Sequence, residues 1–386
     1  MELNERGKSV RVPIAAPNLS GKELEYVSDC VKSGWISSKG KYVNLFEEEF
    51  SKYIGLKNGI AVSSGTTALH LALAAIGVKS SDEIIIPTFT MMAVANSATY
   101  QGAKAILVDS EMDTWNIDPC KIEEKITKRT KAIMAVHLYG HPAKTKEIVS
   151  IANDHRLCLI EDSAEAHGAQ YYGKKVGSLG DMSCFSFYAN KIITTGEGGM
   201  ILTDNDEMAN KLRKLRDQAY SKEFRKWLIH DEIGFNYRLT NMQAAIGLAQ
   251  VERIEEFIAH HREMAYLYNS MLEDLKGITL PPEVAWAKNV YWMYTILLDG
   301  TVFSRDKLMF RLEKDYGIDT RATFHPIHLQ PVSKEAYKDE KYPIAESLGK
   351  NGLNLPSGNS TTLDEVKYVA TAIRSILENR EVCQNC

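Results

Sequence analysis

Residues 63–71 (SSGTTALHL) have the side-chain types of a phosphate-binding turn. A strand-like run ends in two serines and a glycine, and two threonines then open a helical pattern. Hydroxyl groups, backbone N–H groups and the positive end of the helix would converge on one point, which suits an anion. An N-capped helix after a glycine turn is the alternative that this segment alone leaves open. No Gly-Lys-Ser/Thr follows, so the segment is not a Walker loop.

Acidic side chains follow an apolar run at residues 160–169 (IEDSAEAHGA). Glu161 and Asp162 come at the end of the run, and Glu165 and His167 follow. Carboxylates at the end of a buried strand are costly to desolvate unless they meet a partner. Such a carboxylate can hold a metal, a ribose hydroxyl or a protonated ring nitrogen, and acids that only cap the next loop are the structural alternative.

Lys191 follows a third buried run, CFSFY, and precedes the small-residue stretch TTGEGG. A lysine in apolar, glycine-flanked surroundings is a candidate for a lowered pKa, and its neutral amine can form a Schiff base. A solvated surface lysine is the alternative. Taken together, a phosphate cradle, a carboxylate and this amine are what pyridoxal 5′-phosphate needs for its phosphate, its ring nitrogen and its aldehyde.

The elements that must position these groups alternate between short strands and longer helices. That rhythm predicts an α/β fold with a mostly parallel sheet covered on both faces, in which ligands bind beyond the carboxyl ends of the strands. The predicted strands are 59–62, 83–87, 105–110, 131–140, 157–162 and 182–188.

From about residue 241 the pattern changes to one long amphipathic helix. A strand-like run at 290–298 and a helix near 303–316 follow, which predicts a smaller α+β region. We therefore expect a large cofactor-binding domain at 1–255 and a small C-terminal domain at 256–386.

Composition excludes several classes of protein. The chain has 386 residues, 44% of them apolar and 25% charged, with a net charge of −4. These are ordinary values for a globular protein, and they lack the basic excess of a nucleic-acid binder. The polar start MELNERGKSVRV is unlike a secretory signal, which predicts a cytoplasmic protein. The uncharged stretch 84–103 contains a proline and several polar residues, so we expect no membrane span.

The six cysteines do not suggest a disulfide framework. Cys383 and Cys386 form a CxxC pair, but no second pair accompanies it, so we expect no metal site.

Six segments occur in an order and spacing that resemble the DegT/DnrJ/EryC1/StrS family of nucleotide-sugar aminotransferases. The resemblance extends from about residue 13 to residue 356, and it implies the aspartate aminotransferase fold, known as fold type I of the pyridoxal phosphate enzymes. The segments are GWISSKGKYV, SSGTTALHLAL, KAIMAVHLYGHP, IEDSAEAHGA, FSFYANKIITTGEGGM and GFNYRLTNMQAAIGLAQ.

The resemblance implies a role for each residue that would face the cofactor ring. Lys191 would be the lysine that binds the cofactor aldehyde, Asp162 the partner of the pyridinium nitrogen, and Glu165 a partner of the cofactor hydroxyl. Many members carry an aromatic residue that covers the ring at the position of Met91. Phe89 would lie on the same side of an extended segment and is the alternative.

The cofactor phosphate would be held, by the same resemblance, by Gly65, Thr66 and Ser186. Asn236 would come from the second subunit of a homodimer with shared active sites. The family's dehydratase branch has histidine at the position of Lys191, so the lysine argues for transamination.

The late segments FHPIH and GLNLPS, with HLYGHP and NKIITTGEGGM, most resemble members that aminate C4 of GDP-4-keto-6-deoxy-D-mannose with L-glutamate as the donor. This would place the protein in O-antigen and lipopolysaccharide biosynthesis. A UDP- or dTDP-linked keto-sugar aminated at C4 or C3 is the alternative, and a non-catalytic regulatory protein with the same fold is the alternative from another class.

A nucleotide-sugar carries a diphosphate, so a net acidic protein must place local cations against it. Trp35 could also line the site, although a packed aromatic is an equal reading. The candidate cations are Arg321, His325 and His328, with Lys39, Lys41, Arg225 and Lys226.

Overall fold

A computed structural model of the chain describes residues 2–3, 9–221, 229–230 and 232–383. Three residues named above, Arg225, Lys226 and Cys386, lie outside the described residues. In the part of the chain that is described, no helix is long and apolar enough to cross a membrane.

The strands are short, as is usual in α/β proteins. In chain order they are β1 (Glu2–Leu3), β2 (Ser9–Val10), β3 (Asn58–Val62), β4 (Glu83–Pro87), β5 (Lys104–Val108), β6 (Thr130–Val136), β7 (Cys158–Asp162), β8 (Gln170–Tyr171), β9 (Lys174–Lys175), β10 (Met182–Ser186), β11 (Gly199–Thr203), β12 (Ile278–Thr279), β13 (Ala287–Lys288), β14 (Tyr294–Leu298), β15 (Arg321–Ala322) and β16 (Gly352–Leu355).

The helices lie between and after these strands. They are α1 (Glu23–Ser33), α2 (Lys41–Ile54), α3 (Gly65–Ala75), α4 (Met92–Tyr100), α5 (Thr145–His155), α6 (Asp206–Arg216), α7 (Asn241–Val251), α8 (Ile254–Leu272), α9 (Arg305–Tyr316), α10 (Pro343–Asn351) and α11 (Leu363–Cys383), with 3₁₀ turns at Pro119–Lys121, Glu123–Lys125, Leu138–Gly140 and Ile327–Leu329.

Within the described residues, seven strands form the main sheet in the order β3-β11-β10-β7-β6-β4-β5. The strands pair in parallel except at β11, which is antiparallel to both β10 and β3. The predicted α/β fold with a mostly parallel sheet is therefore confirmed. Strand β11 was not predicted, because its residues continue directly from the glycine-rich stretch after Lys191.

Successive residues of the central strands enter different apolar clusters on the two faces of the sheet. Ile84 and Ile86 belong to one cluster, whereas Ile85 belongs to another that includes Ile148 of α5. Both faces are thus buried, which explains why these strands read as continuous apolar runs. Since the carboxyl ends of parallel strands share one edge, the loops after β3, β4, β6, β7 and β10 converge there.

A third apolar cluster lies among α8, α9, α11 and the antiparallel sheet β12-β14-β16-β15. Val12 also belongs to it and pairs with Ile318. The division at residues 255 and 256 stays a prediction.

The single long helix predicted from residue 241 was wrong, because the chain forms α7 and α8 with a break at Arg253. There the Arg253 guanidinium donates to Asn18 Oδ1 at 3.3 Å and to Ser20 Oγ at 3.2 Å. These contacts with a distant segment favour a non-helical backbone that the local pattern does not show.

Candidate active site

Lys191 lies in the bend that follows β10, at the carboxyl edge of the main sheet. Its side chain is partly buried, and its Nζ lies 3.5 Å from the centroid of the Trp292 ring. Burial lowers the pKa of the Lys191 amine, and the carboxylates of Glu165 and Asp162 oppose that shift. The structure therefore places an amine with a lowered pKa in the field of two buried acids.

Asp162 ends β7 and lies beside Cys184 of the neighbouring strand β10. The side chain is buried, and its Oδ1 accepts the N–H of Ala164 at 3.1 Å. Burial raises the pKa of Asp162, and this hydrogen bond and the charge of Lys191 partly offset the effect. A protonated ring nitrogen is the kind of partner that a desolvated carboxylate at this place requires.

Glu165 lies three residues after Asp162 and is also buried. Its Oε2 accepts the backbone N–H of Tyr139 at 2.8 Å, and Tyr139 holds a left-handed backbone with φ of 51°. Burial raises the pKa of Glu165 to about 7, with Lys191 and the Tyr139 amide acting against the shift. Glu165 is thus a weak acid that lies within the field of the lysine.

Glu161, by contrast, faces the opposite side of the sheet from Asp162, because neighbouring strand residues alternate. Its carboxylate meets His137 Nε2 at 3.0 Å and accepts the backbone N–H groups of Gly177, Leu179 and Gly180 at 2.7–2.9 Å. Burial raises its pKa, but these hydrogen bonds outweigh burial and leave it lowered. Glu161 is fully satisfied by protein groups and holds the sheet together rather than binding a ligand.

A cradle for an anion forms where α3 begins. Ser64 caps the helix and forms a capping box with Thr67. The amides of Gly65 and Thr66 have no intrahelical acceptors, because they lie in the first turn of the helix. A Cβ added at Gly65 would lie 2.8 Å from Ser186 Cβ. The glycine therefore opens a space between a helix N-terminus and a serine hydroxyl, and this space fits the phosphate of pyridoxal 5′-phosphate.

Aromatic rings pack beside Lys191. Tyr139 stacks on Phe324 at 5.2 Å between centroids and on Trp292 at 6.1 Å, and buried Phe89 meets Tyr139 edge to face. Met91 is 53% exposed at the start of α4. Residues 88–90 bend, so the extended segment that would place Phe89 and Met91 on one side does not form, and ring cover by Phe89 stays a prediction. Ring cover by Met91 stays a prediction.

Two further predicted residues lie at the surface. Asn236 is exposed between Phe235 and Tyr237, whose rings stack at 5.0 Å. Trp35 is 58% exposed, and its carbonyl accepts the Asn241 side-chain amide at 2.7 Å. Neither contacts Lys191 within the described chain.

The three predicted cations of the late segment have different surroundings. Arg321 is part of the edge strand β15, and its charge acts on the pKa of Lys191. His325 is exposed. His328 is buried, with Nδ1 2.8 Å from Thr88 Oγ1 and Nε2 3.3 Å from Glu346 Oε1. Protein groups thus engage both His328 nitrogens, so its role as a sugar ligand stays a prediction.

The two predicted lysines near the N-terminus also differ. Lys41 pairs with Asp29 at 2.8 Å. Lys39 lines a cavity of about 590 Å³ together with Arg216 and Arg238. Asp217 also lines this cavity and pairs with Arg238, and Arg216 pairs with Glu47, so Lys39 lies in a cavity of mixed charge.

Comparison with known proteins decides the family. The chain matches the DegT/DnrJ/EryC1/StrS aminotransferase family over residues 17–374. It belongs to this family. Membership confirms the predicted fold type, the aminotransferase activity and the pyridoxal phosphate cofactor, whereas the role of each residue stays a prediction.

Relatives and solved structures agree with this membership. The chain is 46% identical to a GDP-perosamine synthase of Caulobacter vibrioides, over 95% of this chain and 98% of the relative. It is 44% identical to a GDP-perosamine synthase of Escherichia coli O157:H7, over 96% and 99%. The crystal structure of DesV from S. venezuelae matches with a TM-score of 0.87 at 33% identity, over 92% of this chain and 94% of that one.

The sequence motifs did not reveal Trp292 or Tyr139 as neighbours of Lys191 and Glu165. Tyr139 lies at the end of the predicted strand 131–140 and just after the observed β6, so its position near the carboxyl edge was a usable signal. Trp292 lies in a run read only as a strand, and nothing local connects it with Lys191.

Proposed function

We propose that the protein transfers the amino group of L-glutamate to C4 of GDP-4-keto-6-deoxy-D-mannose and so forms GDP-perosamine. The observation that carries the transamination is the Lys191 amine, which lies at the sheet edge in the field of buried Asp162 and Glu165. The similarity to GDP-perosamine synthases over nearly the whole chain supports this sugar.

Three residues of the chain would perform the proton chemistry. When bound, pyridoxal phosphate supplies an aldehyde for amines and a ring that accepts electrons. Lys191 would hold the cofactor at its aldehyde, and its free amine would take up and return the proton that transamination moves; its lowered pKa suits this role. Asp162 keeps the proton on the ring nitrogen, and Glu165 bonds the ring hydroxyl.

Other residues would anchor the cofactor and the sugar nucleotide. Gly65, Thr66 and Ser186 hold the cofactor phosphate. Arg321 and the cavity around Lys39 offer positive charge for a diphosphate, which this net acidic chain cannot attract by its overall charge.

A homodimer with shared sites is part of the proposal, since exposed Asn236 would complete the partner's phosphate site. We also propose a cytoplasmic location and a role in O-antigen synthesis. The free cysteines among the described residues, such as Cys30 and Cys184, suit a reducing compartment.

One titration tests cofactor, donor and acceptor. The purified protein with pyridoxal phosphate should show a visible absorbance band, which L-glutamate removes and GDP-4-keto-6-deoxy-D-mannose restores. Size-exclusion chromatography with light scattering tests the dimer. A protein that shows no band, or whose band does not respond to glutamate, contradicts the proposal.

A UDP- or dTDP-linked keto-sugar remains the second candidate, and the same titration with each sugar separates the two. If GDP-4-keto-6-deoxy-D-mannose fails and another sugar restores the band, the nucleotide assignment is wrong while the reaction stands. A regulatory role without catalysis is not favoured, because it gives no physical reason to keep Lys191, Asp162 and Ser186 together.

A further inference from the structure

We propose that His261 and Asn359 are positioning residues that hold Lys191 against Trp292 through a ring of polar contacts. The inference rests on the proposed function only in taking Lys191 as the reactive amine. Neither residue belongs to the motifs that carry the family resemblance.

The carbonyl groups of the two residues that flank Lys191 accept hydrogen bonds from distant side chains. The indole Nε1 of Trp292 donates to the carbonyl of Asn190 at 2.7 Å. The side-chain amide of Asn359 donates to the carbonyl of Ile192 at 2.7 Å. The backbone at Lys191 is therefore fixed from two directions. One of the two side chains, Trp292, is also the indole over which Lys191 Nζ lies.

His261 of α8 closes the ring between those two side chains. Its Nε2 lies 3.0 Å from Asn359 Oδ1, and its Nδ1 lies 3.1 Å from the carbonyl oxygen of Tyr291. Both oxygens are acceptors, and burial lowers the pKa of His261 to about 4, so the neutral imidazole donates to one of them at a time. Tyr291 immediately precedes Trp292. These contacts run from Asn359 through His261 to the backbone beside Trp292 and return through the indole to the loop that carries Lys191.

The backbone at Tyr291 shows that this geometry is imposed. Its φ of 48° lies in the left-handed region, which is unfavourable for a bulky residue. Such strain persists only where the surroundings over-determine it. Here Asn289 Oδ1 accepts the Tyr291 N–H at 2.7 Å, His261 Nδ1 lies 3.1 Å from the Tyr291 carbonyl oxygen, and Glu283 accepts the Tyr291 hydroxyl at 3.2 Å.

Burial makes the ring stiff. His261 is 3% exposed and Asn359 is 7% exposed, so water competes little for their hydrogen bonds. A free lysine side chain samples many rotamers. Fixing its base and the aromatic face beneath it reduces the set of positions from which Nζ can reach a bound substrate, which favours the proton transfer.

The test compares three alanine variants of the cofactor-loaded protein. His261→Ala and Asn359→Ala each break the ring. His260→Ala is the matched control, because this neighbouring histidine bonds the carbonyl of Thr361 at 2.8 Å and does not contact the residues beside Lys191. The readouts are the pH midpoint of the visible absorbance band, kcat, and KM for both substrates.

Opening the ring should shift the pH midpoint by at least about half a unit. It should also lower kcat by about tenfold to a hundredfold while KM stays within about twofold, since a misplaced base affects turnover more than binding. His261→Asn, which keeps a donor near the position of Nδ1, should recover part of the loss. The His260→Ala variant should match the wild type.

Wild-type midpoints and kcat in both ring variants would overturn the inference. An equal effect of His260→Ala would do the same, because the loss would then reflect general loosening. If the alanine variants do not fold, His261→Asn provides the test. A wild-type pH midpoint and kcat in His261→Asn would show that the contact between His261 and Asn359 does not position Lys191, and would overturn the inference.

A wild-type protein without a visible band contradicts the proposed function instead. The pH profile of Lys191 acetylation, followed by peptide mass spectrometry, then tests the ring independently of the cofactor. Its midpoint should rise in the ring variants, towards that of an ordinary lysine, as Lys191 becomes more exposed; an unchanged midpoint overturns the inference.

Discussion

The substitution Gly65→Ala tests the phosphate cradle most directly. A Cβ at this position would lie 2.8 Å from Ser186 Cβ, about 0.6 Å short of ordinary contact. The nearest atom belongs to a short side chain on β10, which cannot swing away as a long side chain can. We therefore expect Ser186 or the start of α3 to move.

Two contributions set the size of the effect. Overpacking of this kind costs about 1–3 kcal/mol of folding free energy. A hydrogen bond to a charged group such as a phosphate contributes about 1.5–3 kcal/mol, or about 10- to 150-fold in affinity. An alanine in the first turn of a helix would by itself stabilise slightly. Gly65→Ala should thus unfold more easily and bind pyridoxal phosphate about ten to a hundred times more weakly.

Thermal unfolding and an absorbance titration with the cofactor measure these two effects. Gly300→Ala is the control, because a Cβ there meets only Asn351 Oδ1 at 3.2 Å. Adding Ser186→Gly to Gly65→Ala removes the opposing Cβ and should restore stability, whereas adding Ser186→Ala should not. Unchanged stability and affinity in Gly65→Ala, or equal rescue by both second substitutions, would refute the reasoning.

Three further predictions concern the titratable groups. Lys191→Ala should remain folded, lose the visible band and lose at least about a hundredfold in turnover. Lys175→Ala is the control, because the Lys175 amine lies 3.5 Å from the centroid of the Tyr53 ring, away from the site. Near wild-type turnover in Lys191→Ala would show that another group is the base. Asp162→Asn should weaken cofactor binding and slow proton transfer, seen by titration and stopped-flow absorbance, and unchanged kinetics would remove its role. Burial raises the pKa of Glu165 to about 7 from 4.5, so its contribution to the stability of the cofactor-free protein should be full below pH 4.5 and be lost as pH rises through 7. Glu165→Gln should flatten this part of the melting-temperature profile, and an unchanged slope would place the ionisation elsewhere.

The strands of the main sheet were predictable because their burial on both faces leaves long apolar runs. The prediction 83–87 matches β4 in full, and 157–162 differs from β7 by one residue. Strand β11 and the break at Arg253 were not predictable, since the first continues a glycine-rich stretch and the second depends on contacts with residues more than 200 positions away.

The candidate site divides in the same way. Asp162 and Ser186 are the last residues of two strands that are adjacent in the sheet, and Lys191 follows the second. A sequence that predicts the strands therefore also predicts their common edge. Met91 and Phe89 show the limit, because a bend after β4 buries one side chain and exposes the other.

The sequence by itself determined the fold class, the cofactor and the residues that would bear the chemistry, because strand periodicity and the order of short motifs are local properties. Only the tertiary structure decided what surrounds those residues. The ring over which Lys191 lies belongs to Trp292, about a hundred positions along the chain, and the contacts that fix it come from His261 and Asn359. Such pairings depend on how two apolar cores pack together, and that packing leaves no local pattern in the sequence.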